Sequence, residues 1–428
     1  MSRILSFRRV GLTFSAQIYN QIVILGVQLV QVPFLLAAWG SERYGGWLVL
    51  YAVPSYLTLT DLGFTSVAKN QMVIHAAKAD RTGVLRVYHS VFALLLVATA
   101  VILGACILGV ESVSLTTTFA LGPLSESEAK QTILFLVGSV VCYQFLLLLG
   151  SGVRASGRPA AEVIAAATAR LLEGVATVAV ALVTTRVELA ALAVLITRIG
   201  MVIGVWTWLR IVAPELRLGL KNARLDEIRR MANPSFSYML LGLAQAIAIQ
   251  GPIVLLGALA TTQETVLFST SRTLARMGTS AANLVNFSFA PEYSRMHGEG
   301  NRSAFARLRK IHVLIGLVGI PAYGIGLWAL GPFIMALWTH GHVAVVYPFF
   351  ALMNGAVAAE MLWGCLFTPI AAINRHVRLS YIFVGLTMVC AVLAYSWAVS
   401  WGATGVAAAL LLLHVAMSVL VLLLRPRG

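Results

Sequence analysis

Four arginines lie inside long apolar runs of this sequence: Arg170, Arg198, Arg272 and Arg276. A guanidinium stays charged at any physiological pH, and its planar fork matches carboxylate and phosphate oxygens in pairs. Placing one at mid-membrane depth costs roughly 2.5 to 3.5 kcal/mol on insertion scales, so each needs a partner, water or a ligand. Arg272 and Arg276 stand one helical turn apart and repel each other at rest. An anion shared between them would make the arrangement favourable, and a phosphate or diphosphate suits that geometry. Lys69, at one end of a neighbouring polar stripe, could assist. The acids at similar depth are Asp61, Glu173 and Glu360. Arg170 and Glu173, at i and i+3, would most simply neutralise one another. Arg198 either pairs with Glu173 or faces a cavity, where it could join Arg272 and Arg276 in holding the diphosphate. A carboxylate in such a cavity titrates at raised pH, so Asp61, Glu360 or Glu173 could couple an ion to transport.

Other chemistry is absent from the sequence pattern. There is no metal-ligand spacing, nucleophile elbow or P-loop, and no cofactor motif. Cys106, Cys142, Cys365 and Cys390 fall within apolar runs and read as small buried hydrophobes. His340 and His342 sit in a short segment beside Trp338. The chain therefore reads as a carrier and not as an enzyme.

The surroundings of these residues are set by composition. Of 428 residues, 59% are hydrophobic and 11% charged, with a formal net charge of +15. A soluble chain carries about 25% charged residues. The class implied is an all-α integral membrane protein. In that class a positive balance reports Lys and Arg retained on the cytoplasmic side, and no nucleic-acid partner follows from it. A bilayer core of about 30 Å needs about 20 apolar residues per helix. Twelve spans meet this, centred in 13–38, 46–68, 87–109, 131–151, 161–184, 189–210, 233–259, 265–290, 311–330, 344–370, 379–400 and 404–424. The first follows Arg3, Arg8 and Arg9 like a signal-peptide start, but it is too long and too rich in Gln and Asn for one. Of the 31 Lys and Arg residues, 24 lie on the side of the N-terminus and only Arg43, Lys130 and Arg186 on the other. Both termini are then cytoplasmic, in a multi-pass protein of the inner (cytoplasmic) membrane.

The long basic loop about 211–232 divides the spans six and six, giving an N-terminal lobe 1–216 and a C-terminal lobe 217–428. Each half opens with a proline-bearing span (Pro33, Pro252), a short turn and a second span ending in polar residues. Such repeats imply a transporter with its site between the halves. At 100° per residue, Thr13, Gln17, Asn20, Gln21, Gln28 and Gln31 share one wedge of span 1. Tyr51, Ser55, Thr58, Asp61, Thr65 and Lys69 share one of span 2, and Ser269, Arg272, Arg276, Thr279, Asn283 and Asn286 one of span 8. These stripes either line a hydrated central cavity or glue the bundle by interhelical hydrogen bonds.

The run Pro33-Phe34-Leu35-Leu36, then Gly40-Ser41-Glu42-Arg43-Tyr44-Gly45-Gly46-Trp47, then Asp61-Leu62-Gly63-Phe64 resembles the start of bacterial O-antigen-type polysaccharide flippases. These belong to the multidrug/oligosaccharidyl-lipid/polysaccharide exporter (MOP) superfamily. Pro291-Glu292-Tyr293 and Gly298-Glu299-Gly300 resemble the corresponding point of the second half. The resemblance implies that an undecaprenyl-diphosphate-linked oligosaccharide crosses from the cytoplasmic to the periplasmic leaflet by alternating access, its sugars along the Gln and Asn stripes and its diphosphate on cationic helices. It also implies partners: membrane lipids, and a glycan polymerase and chain-length proteins of the same pathway. Lipid-diphosphate-binding members use arginines on spans 1, 2 and 8. Here only span 8 has them, with Lys69 at the end of span 2. Two other readings stand beside it. A multidrug or small-molecule antiporter of the same superfamily would want an acidic cavity. A membrane-embedded glycan polymerase would want a large outer loop carrying Arg and His.

Overall fold

A computed structural model of the chain describes residues 2–55, 63–118, 121, 123–259, 262–339 and 343–424. Gln28 and Ser41 lie within this backbone, but their side chains are not described, and Thr58, Asp61, His340 and His342 lie outside the described residues. Helices are α1 (Ser2–Ser55), α2 (Phe64–Ala77), α3 (Arg81–Ser112), α4 (Leu115–Thr118), α5 (Glu126–Ala155), α6 (Pro159–Val183), α7 (Val187–Val212), α8 (Leu225–Leu259), α9 (Thr262–Gly298), α10 (Arg302–Trp338), α11 (Phe349–Ala371) and α12 (Val377–Leu424). No strand occurs among the described residues.

Two of these elements are pairs of crossings. α1 turns at Gly40 (φ 71°, ψ 171°) and α12 at Gly402 (φ 54°, ψ −136°), dihedrals that cost a residue with a Cβ. Spans 1 and 2 therefore share α1, and spans 11 and 12 share α12. Nine described helices are long and apolar enough to cross a membrane. Splitting α1 and α12 and adding the more polar α9 recovers the twelve crossings expected from the sequence.

By internal contacts the chain forms two compact units, Met1–Ser235 and Phe236–Gly428, with the division inside α8. The first unit keeps the long basic loop because the loop is pinned to α3. His89 Nε2 meets the Arg217 carbonyl at 2.8 Å, and the Asn222 and Arg224 amides donate to His89 Nδ1 and Ser90 Oγ. In that unit α1 packs along α6, and α5 along α7, around a core that includes Leu35, Leu50, Leu136 and Val187. In the second unit α11 packs on α9, α10 and α12, around Phe268, Phe349, Phe350, Phe383 and Met417.

Helix ends follow local rules. Ser125 and Glu128 form a reciprocal capping box at the start of α5. Asp80 caps α3 by accepting from the Gly83 amide at 2.8 Å.

Candidate functional site

The intramembrane arginines fall into two cavities, one in each unit. In the first unit a cavity of about 330 Å³ is lined by Tyr51, Ser139, Tyr143, Arg170, Glu173 and Arg198, with Val27, Leu136 and Val140 as its apolar wall. α6 supplies Arg170 and Glu173, and α7 supplies Arg198. The expected Arg170–Glu173 pair does not form. Arg198 takes Glu173 in a fork, Nε to Oε1 at 2.7 Å and Nη2 to Oε2 at 3.0 Å. Its remaining nitrogen, Nη1, donates to Ser139 Oγ at 3.3 Å, and its guanidinium lies 5.0 Å from the Tyr143 ring centroid. Two parallel charge-assisted bonds from a facing helix outcompete a partner one turn away on the same helix. Arg170 is left to donate to the neutral Asn20 Oδ1 at 2.9 Å, and among the described residues it has no acidic partner. The first cavity therefore presents one compensated guanidinium and one uncompensated one.

The second unit repeats that inventory on different helices. Arg272 and Arg276 of α9 line a cavity with Gln245 of α8, Glu360 of α11 and His414 of α12. Arg276 Nη1 donates to Glu360 Oε2 at 2.6 Å. Arg272 donates to the Ile249 carbonyl and lies near the Phe268 ring. Glu360 thus neutralises Arg276, while Arg272 has no carboxylate partner among the described residues. The free space here is about 20 Å³, room for about one water. A diphosphate does not fit beside Arg272 and Arg276 in this conformation.

Lys69 is likewise engaged. Its Nζ meets Glu162 Oε1 at 2.8 Å, and Arg154 binds the other oxygen of the same carboxylate. This three-residue cluster ties α2, α5 and α6 together at their basic ends, so Lys69 acts here as a structural cation.

The polar stripes divide between the two roles open to them. On α1, Asn20 binds Arg170 and Tyr19 Oη lies 3.3 Å from Thr168 Oγ1, both across to α6. Gln17 is buried and Gln21 half-buried, so this face of α1 works largely as interhelical adhesive. Tyr51 opens into the first cavity. On α9, Arg272 and Arg276 face the second cavity and Ser269 is half-buried. Asn286 turns instead to α10, where His312 Nε2 meets its Oδ1 at 2.9 Å, and Asn283 is exposed. Tyr143, Ser139 and His414 join the sites without any local sequence signal, because only tertiary packing brings them there. Among the described residues no three His, Cys, Asp or Glu side chains gather as a metal site.

With this arrangement in hand, solved structures supply the comparison. A MATE transporter in a bent conformation matches with a TM-score of 0.77 at 13% identity, over 98% of this chain and 94% of that one. The fold is that of the MATE transporters. An outward-facing multidrug resistance MATE transporter of the MOP superfamily matches at TM-score 0.72 and 13% identity, over 98% and 94% of the two chains. A MOP transporter of Pyrococcus furiosus, described as having a binding pocket of reverse polarity that suggests a different function, gives 0.72 and 12% over 98% and 94%. No protein-family model and no curated protein matches the sequence.

Proposed function

We propose that the protein is a secondary transporter of the MOP type that moves an anionic amphipathic molecule across the membrane. Arg170 carries this reading. Its guanidinium donates only to the neutral Asn20, and it faces a 330 Å³ cavity whose other two charges, Glu173 and Arg198, neutralise each other and whose remaining wall is mostly aromatic and aliphatic. A cationic cargo would meet like charge there, and a neutral one would leave the guanidinium without an anion. Arg272 offers a second uncompensated cation in the other unit. The transport itself needs no catalytic group. Orientation follows the charge count, with both termini and the loop about 211–232 on the cytoplasmic side of the inner membrane.

One solved neighbour is described as a multidrug resistance transporter, and this supports a small-molecule antiporter more than a lipid-linked oligosaccharide flippase. The neighbour of reverse pocket polarity supports cargo of a different sign on the same frame. The flippase remains the second reading because a diphosphate is the anion that guanidinium forks match best. Under it the glycan polymerase and chain-length proteins become partners.

Purified protein in proteoliposomes tests the proposal. An anionic amphiphilic dye is expected to be transported, and Arg170→Ala to slow it by tenfold or more while Arg170→Lys keeps part of the rate. Transport of a cationic dye instead, indifferent to Arg170→Ala, would overturn the anionic reading. In cells, loss of surface glycan on deletion selects the flippase, and altered drug susceptibility with intact glycan selects the antiporter.

A further inference from the structure

The largest cavity described in the second unit, about 540 Å³, lies away from the transport arginines. It sits where α9 ends, α10 begins, and α11 and α12 end, so it opens at the basic face of the helices. Arg302, Arg309 and Arg375 line it together with His297. All three arginines are exposed, and among the described residues none of their guanidiniums has an ion-pair or hydrogen-bond partner. No acidic residue lines the cavity. The nearby acids Glu292 and Glu299 are both taken by Arg295, at 2.8 and 2.5 Å. The first turn of α10, whose unpaired amides carry partial positive charge, adds to the same field.

Most of the remaining wall is apolar, through Phe305, Val313, Leu366 and Val421. It continues to Leu422, which is 44% exposed, and next to it stands Leu423 at 72%. A free inorganic anion would use the rim and leave the apolar wall wet. A neutral hydrocarbon would use the wall and leave three unpaired guanidiniums. A molecule with a phosphate joined to acyl chains uses both.

We infer that this cavity is a binding site for an anionic phospholipid of the surrounding leaflet, its phosphate held by Arg302, Arg309 and Arg375 and its acyl chain laid along Leu366 and Val421 toward Leu422. Basic pockets between helices at the cytoplasmic surface recognise acidic head groups in this way. The site is separate from Arg170 and Arg272, and its lipid is the same whichever cargo the transporter carries.

Native mass spectrometry of the full chain, titrated with phosphatidylglycerol or phosphatidylcholine, tests it. Phosphatidylglycerol is expected to bind at least tenfold more tightly. Replacing Arg302, Arg309 and Arg375 together by Ala is expected to weaken it by roughly a hundredfold, at about one kcal/mol per cation near a charged surface. Removing three exposed arginines elsewhere (Arg81, Arg229, Arg230) has the same effect on net charge and is expected to change binding less than threefold. If the first triple variant does not fold, Ala306→Trp fills the cavity and keeps every cation, and is expected to abolish the preference. Equal binding of the two lipids, equal losses in the two triple variants, or an unaffected Ala306→Trp would overturn the assignment. So would inorganic pyrophosphate competing at the lipid's own affinity, which would mark a site for soluble phosphate.

Discussion

Arg198 and Glu173 are joined across α7 and α6 by two hydrogen bonds of 2.7 and 3.0 Å, with both side chains nearly out of contact with solvent, at 11% and 13% exposure. Breaking a buried pair by removing one partner strands the other charge and costs about 3–5 kcal/mol, whereas removing both can be close to neutral. Glu173→Gln is therefore expected to lower the thermal midpoint of the purified protein sharply. Glu173→Gln with Arg198→Met is expected to recover most of the loss. An additive double variant would show that the two residues do not act as a pair.

Arg272 and Arg276 are neighbours with different duties. Arg276 is tied to Glu360 at 2.6 Å, and Arg272 rests on the backbone of α8. Arg276→Ala and Glu360→Ala should each destabilise the second unit, and the double variant should be less damaged than their sum. Arg272→Ala leaves no stranded carboxylate. It is expected to leave the thermal midpoint nearly unchanged and to reduce transport of an anionic cargo. Loss of stability with Arg272→Ala equal to that with Arg276→Ala would show that the two arginines are equivalent.

The twelve crossings were legible in the sequence because span length and apolar composition are local properties. The turns at Gly40 and Gly402 fell between spans, as their glycines suggest. Charge pairing was legible only in its options. Arg198 has Glu173 as one of two outcomes, while no local pattern pairs Lys69 with Glu162 or Arg276 with Glu360. Those carboxylates lie 93 and 84 residues away in sequence, and no periodicity reports which helix packs beside which. The same limit hid Tyr143 over Arg198, and it sent Asn286 toward His312 when its position on α9 suggested the cavity. The free charge on Arg170 followed from the same cause, since its apparent partner one turn away was claimed from another helix.

Gly402 and Gly40 share a positive φ but differ in surroundings. A Cβ on Gly402 would come within 2.7 Å of a Glu264 carboxylate oxygen, and one on Gly40 would meet nothing within 4 Å. Both substitutions to Ala carry the conformational cost of this backbone region, about 1–3 kcal/mol. Gly402→Ala is expected to cost more than Gly40→Ala by the displacement of Glu264. Comparing their unfolding in detergent with Gly402→Ala/Glu264→Ala checks this. Measured against Glu264→Ala alone, Gly402→Ala should then cost about as much as Gly40→Ala.

Glu126 holds the segment before α5 by an acid-dependent clasp. Its carboxylate accepts from the Thr116 and Leu115 amides, both at 2.9 Å, and from Thr116 Oγ1 at 2.8 Å. The Thr116 and Leu115 amides, then the Thr116 hydroxyl, favour the charged form and bring its pKa down from 4.5 to about 2, with Lys130 adding a smaller attraction. A carboxylate depressed on folding contributes stability that is present above the unfolded value and is lost as pH falls through the folded value. The clasp is therefore complete above about pH 4.5 and released as pH falls toward about 2. Pepsin, which is active in that range, is expected to cut the 113–125 segment increasingly as pH drops from 4.5 to 2. Glu126→Gln imitates the protonated acid, so at neutral pH it should speed hydrogen exchange at Leu115 and Thr116 while leaving α5 protected. Unchanged exchange in Glu126→Gln would show that the segment is held by its other contacts.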